Sequence, residues 1–132
     1  MKYRIQQMLA QDNPGGAIIN LASIAGLGGM RYAANYSATK HAVVGPTKSA
    51  ALEYATDHIR SNGIAPAAIK TDILSTAIEA DTWDEATIAA PQPANRMGRP
   101  TEVSDAITWL TSPQASCITG TILNVDGGDK VQ

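Results

Sequence analysis

The order in which short apolar runs alternate with helical stretches limits this chain more than any other feature in it. It opens with Ile5, Met8 and Leu9 at helical spacing, and Asn13-Pro14-Gly15-Gly16 breaks that helix. Ala17 to Leu21 reads as a short buried strand between turn residues. A loop rich in Gly and Ala runs from Ser23 to Ala34, and a helical pattern follows from about Tyr36 to Asp57. Ile59 to Ala65 reads as a second, weaker strand ended at Pro66. Thr71 to Ala90 is Ala-rich, breaks into short helical pieces and stops at Pro91 and Pro93. Beyond Pro100, which suits a first helical turn, Val103, Ala106, Ile107 and Leu110 share one helix face. Gly120 to Val125 forms the last strand, ended by Asp126-Gly127-Gly128. Helix then strand, three times over, is the order of an α/β fold with parallel strands and flanking helices. No repeat or low-complexity linker divides the chain, so residues 1–132 are expected to form a single unit.

Composition narrows the partners. Ten Lys and Arg are scattered from Lys2 to Lys130 and the net charge is -2, so no basic stripe offers itself to nucleic acid. Cys117 is the lone cysteine, and His41 and His58 stand apart from it, so neither a disulfide nor a metal set is expected. No run reaches the roughly 18 apolar residues of a membrane span. Met1 to Ala10 is amphipathic and lacks the apolar run of a signal peptide. The expectation is a soluble, cytoplasmic protein with neither a membrane nor a nucleic-acid partner.

Two motifs mislead. Gly26-Leu27-Gly28-Gly29-Met30-Arg31 follows a strand and precedes a helix, as a dinucleotide fingerprint should, but Arg31 holds the third Gly position. Asp126-Gly127 is a hairpin signal with too few residues after it to build a returning strand. Tyr36 and Lys40 are more informative. Four residues apart on a helix, they share one face. That spacing alone marks an ordinary solvated face, but Ser23 lies upstream at the exit of a buried strand, where loops present functional groups.

With these residues, Gly16 to Ser23 and the block Tyr36-Ser37-Ala38-Thr39-Lys40-His41-Ala42-Val43-Val44-Gly45 resemble the active-site region of the short-chain dehydrogenase/reductase family. The likeness continues through Ile59-Arg60-Ser61-Asn62-Gly63-Ile64-Ala65-Pro66, Arg96 to Val103, Ile118-Thr119-Gly120 and Val125 to Gly128. It implies the C-terminal half of a Rossmann-type, doubly wound parallel sheet with about three strands. It also implies hydride transfer between NAD or NADP and an alcohol or ketone. Tyr36 would be the general acid/base, Ser23 would hold the substrate oxygen, and Lys40 would bind the nicotinamide ribose and favour the tyrosinate. Ile69 and Thr71 would close over the nicotinamide carboxamide as further cofactor contacts. Residues 72–90 would form a substrate lid.

The resemblance also sets out what to look for elsewhere. The family's Gly-rich dinucleotide turn, its selector between NAD and NADP, and its remaining catalytic Asn match no segment here. A truncated family member is therefore expected, inactive alone. The alternative is a non-catalytic fragment that associates with a full-length relative. The helices matching Lys2 to Gln11 and Tyr36 to Asp57 pack between subunits in the family, which implies a homo-oligomer or such a mixed pair. A serine hydrolase fits poorly, since Ser23 lacks a G-x-S-x-G elbow. Pro46, inside the Tyr36 helix, is expected to kink it or cost it a hydrogen bond near Ala42.

Overall fold

A computed structural model describes residues 1–80 and 84–131. Three parallel strands form one sheet in the order β1 (Gly16–Leu21), β2 (Ile59–Pro66), β3 (Ile122–Val125). Helices α1 (Lys2–Leu9) and α2 (Ala34–Tyr54) cover one face. Two short helices, α3 (Asp72–Glu79) and α4 (Glu85–Ala89), lead to α5 (Pro100–Thr111) on the other. Side chains alternate along a strand, so neighbours in β1 serve different layers. Ile18 packs with Ile5, Ala50 and Ile59 beneath α1 and α2, whereas Ile19 joins Ile64, Leu110 and Ala115 beneath α5. The face expected from Val103, Ala106, Ile107 and Leu110 is the one α5 turns to the sheet.

The strand read as weak is the best buried of the three. β2 is central, with Ser61, Asn62, Ile64 and Ala65 fully buried. Its polar side chains are anchors. Asn62 Nδ2 donates to the Ile118 carbonyl at 2.8 Å, and Asn62 Oδ1 accepts the Thr121 N–H at 3.1 Å. Arg60 donates to the Leu110 carbonyl at 2.6 Å and to the Thr111 and Ser112 carbonyls, capping α5 with a cation at its negative end. Gly63 leaves the space that Ile122 fills, since a Cβ there would stand 2.6 Å from Ile122 Cδ1. Nor does Pro66 lie outside the strand: it is its last residue and pairs with Val125. Gly120, at φ +78, and Thr121 are spent on the link to β2, so β3 starts two residues later than expected.

Helix α2 runs unbroken for 21 residues through Pro46. No N–H exists there to reach the Ala42 carbonyl, and both residues are exposed, where water can take the lost bond. No helix among the described residues is long and apolar enough to cross a membrane. No cluster of metal-ligating side chains occurs among them either. Within the expected lid, residues 72–80 and 84–90 carry α3 and α4, while residues 81–83 lie outside the described residues.

Candidate active site

The site begins where β1 ends. The Ala22 N–H still bonds the Ile64 carbonyl at 2.8 Å, so Ser23 leaves the sheet from a fixed position. Its buried Oγ accepts the Ala25 N–H at 3.2 Å, capping a 3₁₀ turn over Ile24–Gly26. A hydroxyl that accepts in this way keeps its own proton to give elsewhere.

Two contacts lock that turn to α2. Gly26 is buried with no room for a side chain, because a Cβ would stand 2.7 Å from the Lys40 carbonyl oxygen. The buried Ser37 hydroxyl lies 2.7 Å from the Ala25 carbonyl and 3.2 Å from that of Gly28. Ser23 is thereby positioned against the helix that carries Tyr36 and Lys40. The Tyr36 N–H is taken by Asn35 Oδ1 at 2.9 Å in the first turn of α2. One turn later, Lys40 Nζ lies 5.6 Å from the centroid of the Tyr36 ring and donates to the Leu21 carbonyl at 3.2 Å.

Ser23 and Tyr36 face one cleft of about 560 Å³. That volume is in the range of small-molecule sites. Ile24, Met30, Ala67, Ala68, Leu74, Ile88 and Pro91 give it a mainly apolar wall, and Thr87, Gln92 and Asp129 are its other polar members. Ala67 and Ala68 follow β2, so the cleft opens beside the C-terminal ends of the strands, where open α/β sheets bind ligands. Lys40 adjoins Tyr36 without lining the cleft wall. Ile69 and Thr71 do not line it. Ile69 pairs with Gly98 in a parallel bridge and lays its side chain over that glycine, while Thr71 is exposed at the N-cap of α3. Gln92 and Asp129 reach the cleft from turns far along the chain, and neither carries a local sequence signal beyond the flanking Pro and Gly residues.

Next to the cleft, Glu102 ties the segment entering α5. Its carboxylate accepts from the Arg96 guanidinium at 2.7 and 3.0 Å and from the Arg99 N–H at 2.7 Å. The Arg96 hydrogen bonds, then the Arg99 N–H, hold Glu102 down to about 2.

The profile of the enoyl-(acyl carrier protein) reductase family matches residues 1–129. The cyclohexanol dehydrogenase of Acinetobacter sp. (strain SE19) is 42% identical over 127 residues, covering 96% of this chain and 47% of that protein. The chain belongs to the short-chain dehydrogenase/reductase family. A second relative is the 2,5-dichloro-2,5-cyclohexadiene-1,4-diol dehydrogenase of Sphingobium indicum (strain DSM 16412 / CCM 7286 / MTCC 6364 / B90A). The two are 39% identical over 128 residues, covering 97% of this chain and 51% of the relative. The solved structure of ElxO with NADP bound matches with a TM-score of 0.95 at 39% identity, covering 100% of this chain and 52% of that one. The chain thus spans about half the length of the curated relatives it matches.

Proposed function

We propose that this chain forms the proton-transfer and substrate-binding side of an NAD(P)-dependent oxidoreductase acting on small alcohols or ketones, with Tyr36, Ser23 and Lys40 as its catalytic residues. One observation carries this reading: Ser23 and Tyr36 line one mainly apolar cleft, with the Lys40 cation 5.6 Å from the phenol ring. The Ser23 hydroxyl, already accepting from Ala25, has its proton free to hold a substrate oxygen. Tyr36 gives or takes the proton of that oxygen through its phenol, as a positioned acid/base. Lys40 stabilises negative charge developing on the phenol.

The donor set also fits a nicotinamide dinucleotide. An ammonium has three donors. Lys40 directs one at the Leu21 carbonyl, and the rest suit ribose hydroxyls, while the apolar cleft wall suits a flat ring. When bound, NAD or NADP supplies the hydride acceptor or donor. Ile69 and Thr71 remain second-line candidates for contacts to the carboxamide, since both follow β2 but stand off the cleft. The similarity to relatives named for cyclohexanol and for a cyclohexadiene diol supports a ring-bearing secondary alcohol.

A chimera tests the reading. Residues 1–132 replace the matching segment of the Acinetobacter cyclohexanol dehydrogenase, and alcohol-dependent reduction of NAD⁺ and NADP⁺ is followed by nicotinamide absorbance. The chimera should turn over, and Tyr36→Phe should cost about 10²- to 10⁴-fold in kcat. A Tyr36→Phe chimera as active as its parent would remove Tyr36 from the chemistry. The 132-residue chain alone is expected to bind NAD(P) weakly and not to turn over, because remote binding contacts help position the reacting atoms. Turnover by the chain alone, lost in Tyr36→Phe, would show that its own residues make a complete site.

A further inference from the structure

We infer that the cleft takes an uncharged, mainly apolar alcohol or ketone and rejects a substrate that carries a carboxylate away from its reacting oxygen. The inference rests on the proposed reading of that cleft and adds the substrate class. What carries it is the state of the wall beyond Ser23 and Tyr36. Ile24, Met30, Leu74 and Ile88 are its large members, and none of these side chains can donate a hydrogen bond.

Three polar side chains also belong to that wall, and each is already committed or closed off. Thr87 Oγ1 gives its proton to Asp84 Oδ2 at 2.8 Å. A hydroxyl has one proton, so none is left for a ligand. Gln92 is 3% exposed and its Nε2 is buried, so this amide donor has no surface to offer. The Asp129 carboxylate can only accept, and it lies 3.3 Å from Lys130 Nζ.

Positive charge is equally committed. Among the described residues, no Lys, Arg or His lines the cleft, and Asp81, Thr82 and Trp83, which lie outside them, bring no positive charge. Lys130 is paired with Asp129. Lys40 stands at the reacting end, 5.6 Å from the Tyr36 ring, with its Nζ donating to the Leu21 carbonyl. A carboxylate on the far side of a substrate ring therefore leaves water without a cation or a side-chain donor to meet it, which is a costly transfer. A methyl group at the same position is instead favoured by burial against the apolar wall.

The test titrates the 132-residue chain at neutral pH with cis-4-methylcyclohexanol and with cis-4-hydroxycyclohexanecarboxylate. The two ligands share ring and hydroxyl and differ in methyl against carboxylate. Binding is followed by NMR at the Ile24 and Ile88 amides in wild type and Tyr36→Phe, and at the Ile24 amide in Ile88→Lys. Wild type should bind the methyl ligand at least about tenfold more tightly. Ile88 is half-buried on the wall, so Ile88→Lys brings an ammonium to it and should raise carboxylate affinity about tenfold. Equal affinities in wild type, a tighter carboxylate, no binding of either ligand, or a preference unchanged in Ile88→Lys overturns the inference. The wild-type comparison holds even if a variant fails to fold. Tyr36→Phe separates the two readings, because it should weaken both ligands by one common factor. If it changes neither while wild type keeps its preference, the reading of Tyr36 fails and the substrate class stands. If it weakens both while wild type shows no preference, the substrate class fails and the reading of Tyr36 stands.

Discussion

Replacing Gly26 with alanine tests whether contact between the Ser23 turn and α2 sets the site's geometry. The new Cβ would lie 2.7 Å from the Lys40 carbonyl oxygen and 2.8 Å from its carbonyl carbon. Both are backbone atoms of a continuous helix, so no side chain can rotate away, and turn and helix must part by about 0.3–0.7 Å to restore ordinary contact. Overpacking of this kind costs about 1–3 kcal/mol. For 132 residues, each kcal/mol is worth roughly 3–5 °C, so the melting midpoint should fall by roughly 3–15 °C. Gly29→Ala is the matched control: it lies in the same loop, has nothing within 4 Å of its Cβ position and does not have a positive φ. It should stay within about 0.5 kcal/mol of wild type. Circular dichroism melts of the three proteins give the answer. The parting should also show as shifted amide resonances at Leu21 and Lys40, whose side chain reaches across the same junction. A Gly26→Ala midpoint equal to that of Gly29→Ala would refute the argument that this contact positions Ser23 against Tyr36.

Glu102→Gln should destabilise the chain at neutral pH and lose that effect in acid. The folded-state carboxyl is held at about 2, below its usual 4.5, so its contribution is present above about pH 4.5 and fades as pH falls towards 2. Melting midpoints of both proteins across that range should converge at the acid end, and a constant gap would assign the effect to shape rather than charge. Ser61→Ala should stabilise by about 1 kcal/mol, since the Ser61 hydroxyl is fully buried without a partner. A urea midpoint that stays put or drops would show that the hydroxyl is satisfied after all.

The parts legible in the sequence are those whose signal is local. A helix face repeats within a turn, so Val103, Ala106, Ile107 and Leu110 declared the buried side of α5. Tyr36 and Lys40 share a face within one helical turn and Ser23 sits at a strand end, but their catalytic roles came from the resemblance of the surrounding blocks to a family and not from that spacing. Gln92 and Asp129 had no such signal. They enter the cleft because α4 and β3 end beside it, a result of three-dimensional closure rather than spacing. Ile69 and Thr71 stand apart from the cleft wall. Position after β2 suggested cofactor contacts, but the chain turns so that Ala67 and Ala68 face the cleft while Ile69 is drawn onto Gly98.

The misjudged strength of β2 has the same cause. Arg-Ser-Asn-Gly is a poor strand by propensity, because propensity assumes an apolar neighbour on each face. Here the neighbours are the open carbonyls at the end of α5, the Ile118 to Thr121 link and the Ile122 side chain. Arg60 and Asn62 satisfy the first two, and the missing side chain of Gly63 admits the third. A central strand can thus be built from residues that disfavour strands when each meets a partner supplied some 50 to 60 positions later in the chain, a cost in loop closure that only the assembled sheet recovers. Ser61 alone in that run buries a polar atom without a hydrogen-bond partner, which makes it the one position in β2 where the low propensity still reads as a real weakness.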